Sequence, residues 1–249
     1  MCHPLVGRLV GAVSQDAIRN NGCVIYTGDH RVVPSIKASL FWGLYESAEI
    51  RFVRKYLRSD LDVVELGSSI GVVAAQVGRK LQPERQLVCV EANIELLELV
   101  RLNVARNSSH VRTTVIHGAL DYQASGSVTR LRLGDRNIDS SITDDPGGEA
   151  VPIVTLAGIL SQQQIGDYVL VCDIEGAEAG ILEIEKQALA RCQQMIIELH
   201  ASSYRNRTVT VDGMCQALRQ RHGFVLRDYY GPVCVFDRQP GLLSATALS

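Results

Sequence analysis

The chain has 249 residues, of which 46 % are hydrophobic and 21 % charged, and its formal net charge is −2. This composition excludes a disordered chain, and the near balance of charge offers no overall attraction to nucleic acid or to anionic lipid. No apolar run approaches the length that spans a bilayer. We therefore expect a globular protein that binds neither nucleic acid nor membrane.

Cysteine usage indicates a reducing compartment. The seven cysteines are odd in number and contain no CxxC pair. Cys89, Cys172 and Cys234 sit inside apolar runs, which is typical of buried thiols rather than of disulfides. The first residues lack the basic start and the sustained apolar core of a signal peptide. These features predict a cytoplasmic location.

Residues 1–60 precede the regular part of the chain, and we interpret them as an N-terminal extension that caps the main domain. Segments 23–27 and 31–34 flank Gly28-Asp29-His30 and predict a hairpin. Segment 39–57 predicts a single helix.

From residue 61 onward, short apolar runs alternate with helical spacing, which predicts an α/β domain over 61–238 with mainly parallel strands. The predicted strands are 62–66, 86–91, 112–117, 168–173, 194–199, 224–229 and 233–236. A short turn at Tyr230-Gly231-Pro232 separates the last two, so we expect the last strand to run antiparallel.

Two further segments interrupt or follow this alternation. Residues 121–150 are polar and rich in turn residues, and they predict a flap or small hairpin inserted into the domain. Residues 239–249 are interpreted as a C-terminal tail.

The first predicted strand of the domain ends in a turn that suits a nucleoside. Gly67 and Gly71 bracket the turn, and Glu91 ends the next strand, where an acid can accept hydrogen bonds from ribose hydroxyls. Ser69 occupies the place of the middle glycine of a dinucleotide fingerprint, and the carboxylate of Glu65 beside the turn would repel a phosphate. The turn therefore favours S-adenosylmethionine, which carries an ammonium and a sulfonium but no phosphate, over NAD.

A second group of polar residues follows the strand predicted at 168–173. Asp173, Glu175 and Glu178 lie within six residues of one another, and the next strand ends near Glu198 and His200. The carboxyl ends of parallel strands meet at one edge of a sheet, so we expect these residues to lie near the first turn. The dipole of the following helix accounts for Glu178 but not for Asp173, because Asp173 ends the strand.

In order and spacing, these motifs resemble FkbM-type methyltransferases, a family within the class I S-adenosylmethionine-dependent methyltransferases. The resemblance covers roughly residues 40–200. The matching segments are Tyr45-Glu46, Glu65-Leu66-Gly67-Ser68-Ser69-Ile70-Gly71, Val90-Glu91-Ala92-Asn93, His117-Gly118-Ala119-Leu120, Asp173-Ile174-Glu175-Gly176-Ala177-Glu178 and Ile197-Glu198-Leu199-His200. The chain departs from the usual family pattern at Glu65 (usually Asp), at Ser68-Ser69 (usually Ala-Asn) and at Ala92 (usually Pro).

The resemblance implies a Rossmann-like class I methyltransferase fold, with a seven-stranded, mostly parallel sheet, one antiparallel strand and helices on both faces. It also implies methyl transfer from S-adenosylmethionine, with S-adenosylhomocysteine as product, usually to a hydroxyl oxygen of a sugar or secondary metabolite. The expected cofactor-binding residues are Glu65, Gly67, Ser68, Ser69, Gly71, Glu91, Ala92, Asn93, Gly118, Ala119, Leu120 and Asp173. The residues expected to meet the substrate or to form a lid are Tyr45, Glu46, Glu175, Glu198 and Tyr204.

Methyl transfer to a neutral alcohol is helped by a nearby base, and Asp173 and His200 are the candidates. Asp173 could instead orient the substrate or the ammonium group of the cofactor. Asp173, Glu175 and Glu198 could also hold Mg²⁺, which prefers carboxylates and water. No strict ligand spacing supports such a site, so we predict no metal.

Two interpretations from other classes stay open, an NAD-linked oxidoreductase and a non-catalytic nucleoside-binding module of the same fold. A nucleic-acid methyltransferase is less well supported, because the sequence has no basic stripe. The sequence predicts a small hydroxylated acceptor without identifying it. The oligomeric state is also not readable, with a homodimer as one option.

Overall fold

A seven-stranded mixed sheet organises the fold. The structure is a computed structural model, and it describes residues 3–134, 140–143 and 145–239. In chain order the elements are α1 Pro4–Ser14, β1 Ala17–Asn20, β2 Cys23–Tyr26, α2 Pro34–Phe41, α3 Ser47–Tyr56, β3 Asp62–Leu66, α4 Val72–Lys80, β4 Gln86–Glu91, α5 Leu97–Asn107, β5 Arg112–His117, β6 Val128–Leu133, β7 Ser140–Ile142, β8 Glu149–Pro152, α6 Leu156–Gln162, β9 Tyr168–Cys172, α7 Glu178–Ile184, α8 Lys186–Arg191, β10 Cys192–Glu198, β11 Ser202–Tyr204, β12 Arg207–Val209, α9 Val211–Gln220, β13 Phe224–Tyr230 and β14 Val233–Arg238. Within these residues, no helix is long and apolar enough to cross a membrane.

The strand order of the sheet is β13-β14-β10-β9-β3-β4-β5. Neighbours from β10 to β5 pair in parallel, whereas β14 runs antiparallel to both β10 and β13. The predicted fold class, with one antiparallel strand, is therefore confirmed. The chain starts at β3, moves outward to β5 and returns to β9, so the topological switch point lies between β3 and β9. Open α/β sheets bind ligands at the carboxyl ends of the strands beside such a point.

The predicted strands are apolar runs because both faces of the sheet are covered. Val63 belongs to a buried cluster that includes residues of α4 and α5, whereas its neighbour Val64 belongs to a cluster that includes residues of α6 and α9. Alternate residues of one strand therefore enter opposite layers, and both layers need apolar side chains.

The N-terminal hairpin lies one segment earlier than predicted. β1 pairs antiparallel with β2, and Asn21-Gly22 forms the turn; 31–34 is not a strand. The prediction at 23–27 and 31–34 is therefore wrong, since Asn-Gly is the stronger signal for a two-residue hairpin turn. The extension is also part of the main core, because Ile18 and Ile25 belong to the same buried cluster as Val63.

The single helix predicted over 39–57 is two helices, which is a second correction. α2 ends where the amide of Gly43 donates to the carbonyl of Leu40 and the amide of Leu44 donates to that of Ser39. These two bonds form the Schellman motif that closes many helices. The break places Tyr45 and Glu46 in a connecting loop rather than in a helix.

The insert at 121–150 contains more structure than a hairpin. β6 pairs with β7 on one side and with β8 on the other, which makes a three-stranded antiparallel sheet. A bridge between Ala119 and Ile153 joins its base to the end of β5. Of the predicted tail at 239–249, residues 240–249 lie outside the described residues.

A buried asparagine ties the N-terminal hairpin to the sheet. The Oδ1 atom of Asn103 on α5 accepts from the amide of Tyr26 at 2.7 Å, and its Nδ2 group donates to the carbonyl of Ile70 at 2.8 Å. Its side chain is fully buried. The Nδ2 group also donates to the carbonyl of Tyr26 at 3.3 Å, so removal of this side chain takes a hydrogen bond from three backbone groups.

We expect Asn103→Ala to lower the free energy of unfolding by about 2–3 kcal/mol, because buried polar groups lose their partners. Urea unfolding measures this change. The exposed Gln216→Ala, also on a helix, is the control and should change stability by less than about 0.5 kcal/mol. Equal effects of the two substitutions would contradict the role given to Asn103.

Candidate functional site

A cleft opens at the carboxyl ends of β3, β4 and β9, between the α2–α3 loop and the insert sheet; we call it the main cleft. Its lining residues are Tyr45, Glu46, Gly67, Ser69, Val90, Glu91, Ala92, Gly118, Ala119, Leu120, Leu131, Ser141, Ile142, Asp173, Ile174, Glu175 and Ala177. Eleven of them are among the site residues expected from the sequence. Val90, Leu131, Ser141, Ile142, Ile174 and Ala177 carry no chemical signal in the sequence.

Gly67 shapes the floor of the main cleft through backbone contact. Its φ of +84° lies in the left-handed region, and a Cβ atom there would lie 1.7 Å from the carbonyl oxygen of Asp173. A side chain at this position would therefore push β3 and β9 apart at the switch point. This packing reason for a glycine at position 67 is visible only in the fold.

Glu91 joins two loops at the end of β4. Its carboxylate accepts from the amide of Ser69 at 2.7 Å and from the amide of Asn93 at 2.8 Å. Burial raises the pKa of Glu91 to about 7, and the backbone hydrogen bonds from Asn93 and Ser69 oppose that shift. Each carboxylate oxygen has two lone pairs, so both oxygens can still accept from ribose hydroxyls.

The α2–α3 loop covers the first turn. The hydroxyls of Tyr45 and Ser69 lie 3.1 Å apart and form a hydrogen bond. Ser69 adopts a φ of +48° and Glu46 a φ of +45°, a region that few non-glycine residues occupy. The loop thereby brings a phenol and a carboxylate from the N-terminal extension to the rim of the main cleft.

Four of the predicted cofactor residues lie beneath the main cleft rather than on its surface. Asn93 is fully buried, and Gly71 packs against α5, where a Cβ atom would lie 2.9 Å from Cα of Val100. The hydroxyl of Ser68 donates to Oε2 of Glu65 at 2.8 Å. These residues are placed to support the turn.

The carboxyl group of Glu65 is not fully paired. Its Oε1 atom is buried and has no hydrogen-bond partner among the described residues. Burial raises the pKa of Glu65 to about 7, although the hydrogen bond from Ser68 opposes that shift. A buried acid with a free oxygen would gain from a cationic group bound nearby.

His200 stands at the centre of an acidic cluster at the side of the main cleft. Its Nδ1 atom lies 3.0 Å from Oε1 of Glu178. Its Nε2 atom lies 3.5 Å from Glu198, 3.6 Å from Glu175 and 3.9 Å from Asp173. Hydrogen bonds to Glu178 and then to Glu198 raise the pKa of His200 to about 11. The imidazole is therefore a cation at neutral pH.

Asp173 differs from the other members of this cluster. Burial, followed by the charges of Glu198 and Glu175, raises its pKa to about 7, while His200 opposes that shift. Its Oδ1 atom is buried without a hydrogen-bond partner among the described residues. Asp173 also lines the main cleft, so a half-ionised carboxyl is available at the cleft wall near neutral pH.

Sequence reasoning missed Glu49 on α3. Its carboxyl group is buried and forms a hydrogen bond with Glu198; burial first and then that contact raise the pKa of Glu49 to about 8. Its position one helical turn after the residue pair Tyr45-Glu46 is a signal that could have identified it.

Among the described residues, one group of side chains has the spacing to ligate a metal ion. Asp173, Glu175 and His200 each offer one atom, and the three atoms lie within 4.8 Å of one another. The imidazole already has carboxylate partners on both nitrogens, and it would have to lose its proton to bind a metal. The arrangement thus fits an ion-paired imidazolium, and it adds no support for the Mg²⁺ alternative.

The charge of the main cleft distinguishes between NAD and S-adenosylmethionine as its ligand. Glu46, Glu91, Asp173 and Glu175 line it, and no lining residue within the described part of the chain is basic. A pyrophosphate would be repelled there, whereas an ammonium and a sulfonium would be attracted. Together with the unpartnered buried oxygen of Asp173, this lining fits S-adenosylmethionine.

A family comparison agrees with this chemistry. The model of the methyltransferase FkbM domain matches residues 68–226, more than half of the chain. The chain belongs to the FkbM methyltransferase family. The methyl donor of this FkbM methyltransferase is S-adenosylmethionine. No curated protein sequence matches the chain.

Three of the solved structures to which the chain is similar are described as a methyltransferase or a methylase. A candidate tRNA (m1A22) methyltransferase of Streptococcus pneumoniae in complex with S-adenosyl-L-methionine is 16 % identical, with a TM-score of 0.43 over 79 % of this chain and 75 % of that one. Ribosomal protein L11 methylase of Lactobacillus delbrueckii subsp. bulgaricus is 12 % identical, with a TM-score of 0.46 over 79 % of each chain. Precorrin-6y C5,15-methyltransferase of Geobacter metallireducens is 15 % identical, with a TM-score of 0.38 over 77 % of this chain and 87 % of that one.

The buried carboxyl of Glu65 should make the stability of the FkbM methyltransferase depend on pH. Its pKa rises from 4.5 to about 7 on folding. The stabilisation by its bound proton is thus fully present below pH 4.5 and is lost as the pH rises through 7. We expect Glu65→Gln, which resembles the protonated acid, to raise the free energy of unfolding by about 1–3 kcal/mol at pH 8 and to change it little at pH 5.

Urea unfolding at the two pH values measures this effect. The exposed Glu98→Gln is the matched control and should leave the pH dependence unchanged. If Glu65→Gln changed stability equally at pH 5 and pH 8, the raised pKa of Glu65 would be contradicted.

Proposed function

We propose that this methyltransferase acts on a hydroxyl oxygen of a small hydroxylated acceptor and that Asp173 is the general base. The observation that carries the proposal is the Asp173 carboxyl at the cleft wall, with a free buried oxygen and a pKa of about 7. A base with a pKa near the working pH is deprotonated in a large fraction of the molecules and still has a useful affinity for the proton. A neutral alcohol needs such a base as it attacks.

His200 is better suited to a positioning role than to the role of base. With a pKa of about 11, the ring of His200 is an imidazolium at neutral pH. Both of its nitrogens then carry protons, so the ring has no lone pair that could accept the proton of the acceptor. A hydrogen bond from His200, and after it the charge of the ring, lowers the pKa of Glu198. The same charge opposes the rise in the pKa of Asp173. Of the two bases expected from sequence, the geometry thus favours Asp173.

Residues of the main cleft divide into those that would hold the cofactor and those that would meet the acceptor. When bound, S-adenosylmethionine supplies an electrophilic methyl group on its sulfonium. Glu91 would accept from the ribose hydroxyls, and the segment Gly118-Ala119-Leu120 would lie against the adenine. Tyr45, Glu46 and Glu175 sit at the rim, where they would meet the acceptor and exclude water.

The competing interpretations predict different ligands. An NAD-linked oxidoreductase requires a site for a pyrophosphate, and the acidic lining disfavours one. A non-catalytic module would bind the nucleoside without needing a pKa near 7 at Asp173.

Calorimetric titration with S-adenosylhomocysteine and with NAD separates these possibilities. We expect binding of the former and none of the latter; the reverse would overturn the proposal. Release of S-adenosylhomocysteine from S-adenosylmethionine is then measured with a panel of sugars, phenols and a tRNA transcript. Turnover with tRNA and with none of the hydroxylated small molecules would refute the acceptor class.

We expect Asp173→Asn to lower turnover at least a hundredfold, because the amide cannot accept the proton, and to change affinity for S-adenosylhomocysteine less than threefold. The wild-type rate should rise with pH through about 7, and the variant should lose this rise. The exposed Glu183→Gln serves as control. Comparable losses of turnover and affinity would instead assign Asp173 to cofactor binding.

We expect Glu91→Ala to weaken S-adenosylhomocysteine binding roughly ten- to a hundredfold, since a hydrogen bond to a charged group contributes about 1.5–3 kcal/mol. Calorimetry measures the affinity, and the exposed neighbour Glu95→Ala is the matched control. A thermal unfolding curve identifies loss of structure. A folded variant with unchanged affinity would exclude the ribose contact.

A further inference from the structure

A second cleft adjoins the main cleft beyond Ile174 and Glu175, between the insert sheet and the β11–β12 hairpin. It is larger than the main cleft and more polar, and Arg130, Arg132 and Tyr204 are among its lining residues. Because Ile174 and Glu175 line both clefts, a molecule in the second cleft could extend to Asp173.

Two arginines give the second cleft its cationic side. Arg130 and Arg132 occupy the exposed face of β6, two residues apart, so their Cα atoms are separated by about 7 Å. Arg130 donates to the carbonyl of Gly148, and Arg132 donates to the hydroxyl of Thr143. Neither forms an ion pair with a carboxylate among the described residues, so most of their N–H groups remain available.

The acids of the second cleft are largely occupied. The carboxylate of Asp121 accepts from the amides of Gln123 and Ala124 and from the hydroxyl of Thr129. Asp145 accepts from the amide of Gly147. These two carboxylates hold turns of the insert, and Glu175, the third acid in the lining, lies 3.6 Å from the imidazole of His200. Each guanidinium group has one hydrogen bond to the insert and further N–H groups for a ligand.

Unpartnered hydroxyls lie on the opposite wall. Tyr204 is only 8 % exposed, and its hydroxyl has no hydrogen-bond partner among the described residues. The same holds for the hydroxyl of Ser202. A buried polar group without a partner costs free energy, so its retention points to a ligand that supplies one.

We propose that the second cleft binds an anionic group of the acceptor, a phosphate or a carboxylate, through Arg130 and Arg132. The proposal rests on the proposed function, and it narrows the acceptor to a hydroxylated molecule that also carries a negative charge. Guanidinium groups match the oxygens of both anions, and each charged hydrogen bond is stronger than a neutral one. The arginines would hold the anion away from the carboxylate cluster and thereby orient the hydroxyl toward Asp173.

The test uses the full chain saturated with S-adenosylhomocysteine and three probes: glucose 6-phosphate, glucuronate and glucose. Calorimetry is performed at constant ionic strength, because exposed charges are screened by salt. We expect at least one of the two anions to bind at least tenfold more tightly than glucose. The stronger of the two identifies the group as phosphate or carboxylate.

Two sets of variants test the residues. The double substitution Arg130→Gln and Arg132→Gln should remove the preference for the anion. The matched double substitution Arg106→Gln and Arg112→Gln changes two exposed arginines outside both clefts and should leave the preference intact. Tyr204→Phe should weaken anion binding about fivefold without loss of stability, because its hydroxyl has no partner to lose.

The outcomes separate this inference from the proposed function. If S-adenosylhomocysteine binds but the protein has equal affinity for all three probes, only the anion site is overturned. If S-adenosylhomocysteine does not bind, the proposed function fails, and the anion titration on the free protein still decides the site. A short ribo-oligonucleotide that binds through the two arginines, while glucose 6-phosphate and glucuronate do not, would overturn the inference in favour of a nucleic-acid acceptor.

Discussion

The close approach of Gly67 to the backbone of Asp173 is the constraint on which the site depends. With no Cβ atom at residue 67, the ends of β3 and β9 can lie side by side at the switch point of the sheet. That contact determines where the first turn and Asp173 stand relative to one another. It also keeps Glu91 in reach of the turn, because the amide of Ser69 donates to its carboxylate. A larger residue at position 67 would therefore disturb the first turn and Asp173 together.

The second organising feature is an excess of buried carboxyl groups in and beside the main cleft, with one imidazolium at its side. Glu65, Glu91 and Asp173 each have a pKa raised to about 7, chiefly by burial, and Glu49 one raised to about 8. His200 offsets part of this charge at one side of the main cleft. A cationic ligand would offset more of it, since opposite charges stabilise each other most strongly where water is excluded. The buried acids therefore favour binding of a sulfonium nucleoside, because its positive charge would stabilise their ionised forms. Binding of that nucleoside should in turn lower their pKa values.

Sequence reasoning recovered the sheet almost completely because strands buried on both faces read as continuous apolar runs. β3, β4 and β5 begin and end at the predicted residues. It failed where short-range signals compete: Asn21-Gly22 turns the hairpin earlier than predicted, and the backbone bonds of Gly43 and Leu44 divide one predicted helix into two. It also could not rank Asp173 against His200, since that choice depends on which carboxylates surround the ring. Those neighbours come from separate strands and helices, and only the fold brings them together.

The two adjoining clefts differ in their cationic groups: the second cleft contains two arginines, whereas no described residue that lines the main cleft is basic. The main cleft is acidic, whereas the second cleft presents two guanidinium groups whose neighbouring acids already hold turns of the insert. An acceptor with a negative group would be repelled by the carboxylate of Glu175 and attracted by Arg130 and Arg132. It would therefore enter with the anion away from the cofactor and present a hydroxyl toward Asp173. Orientation of this kind contributes to rate because the reacting atoms are held in line before bond formation begins.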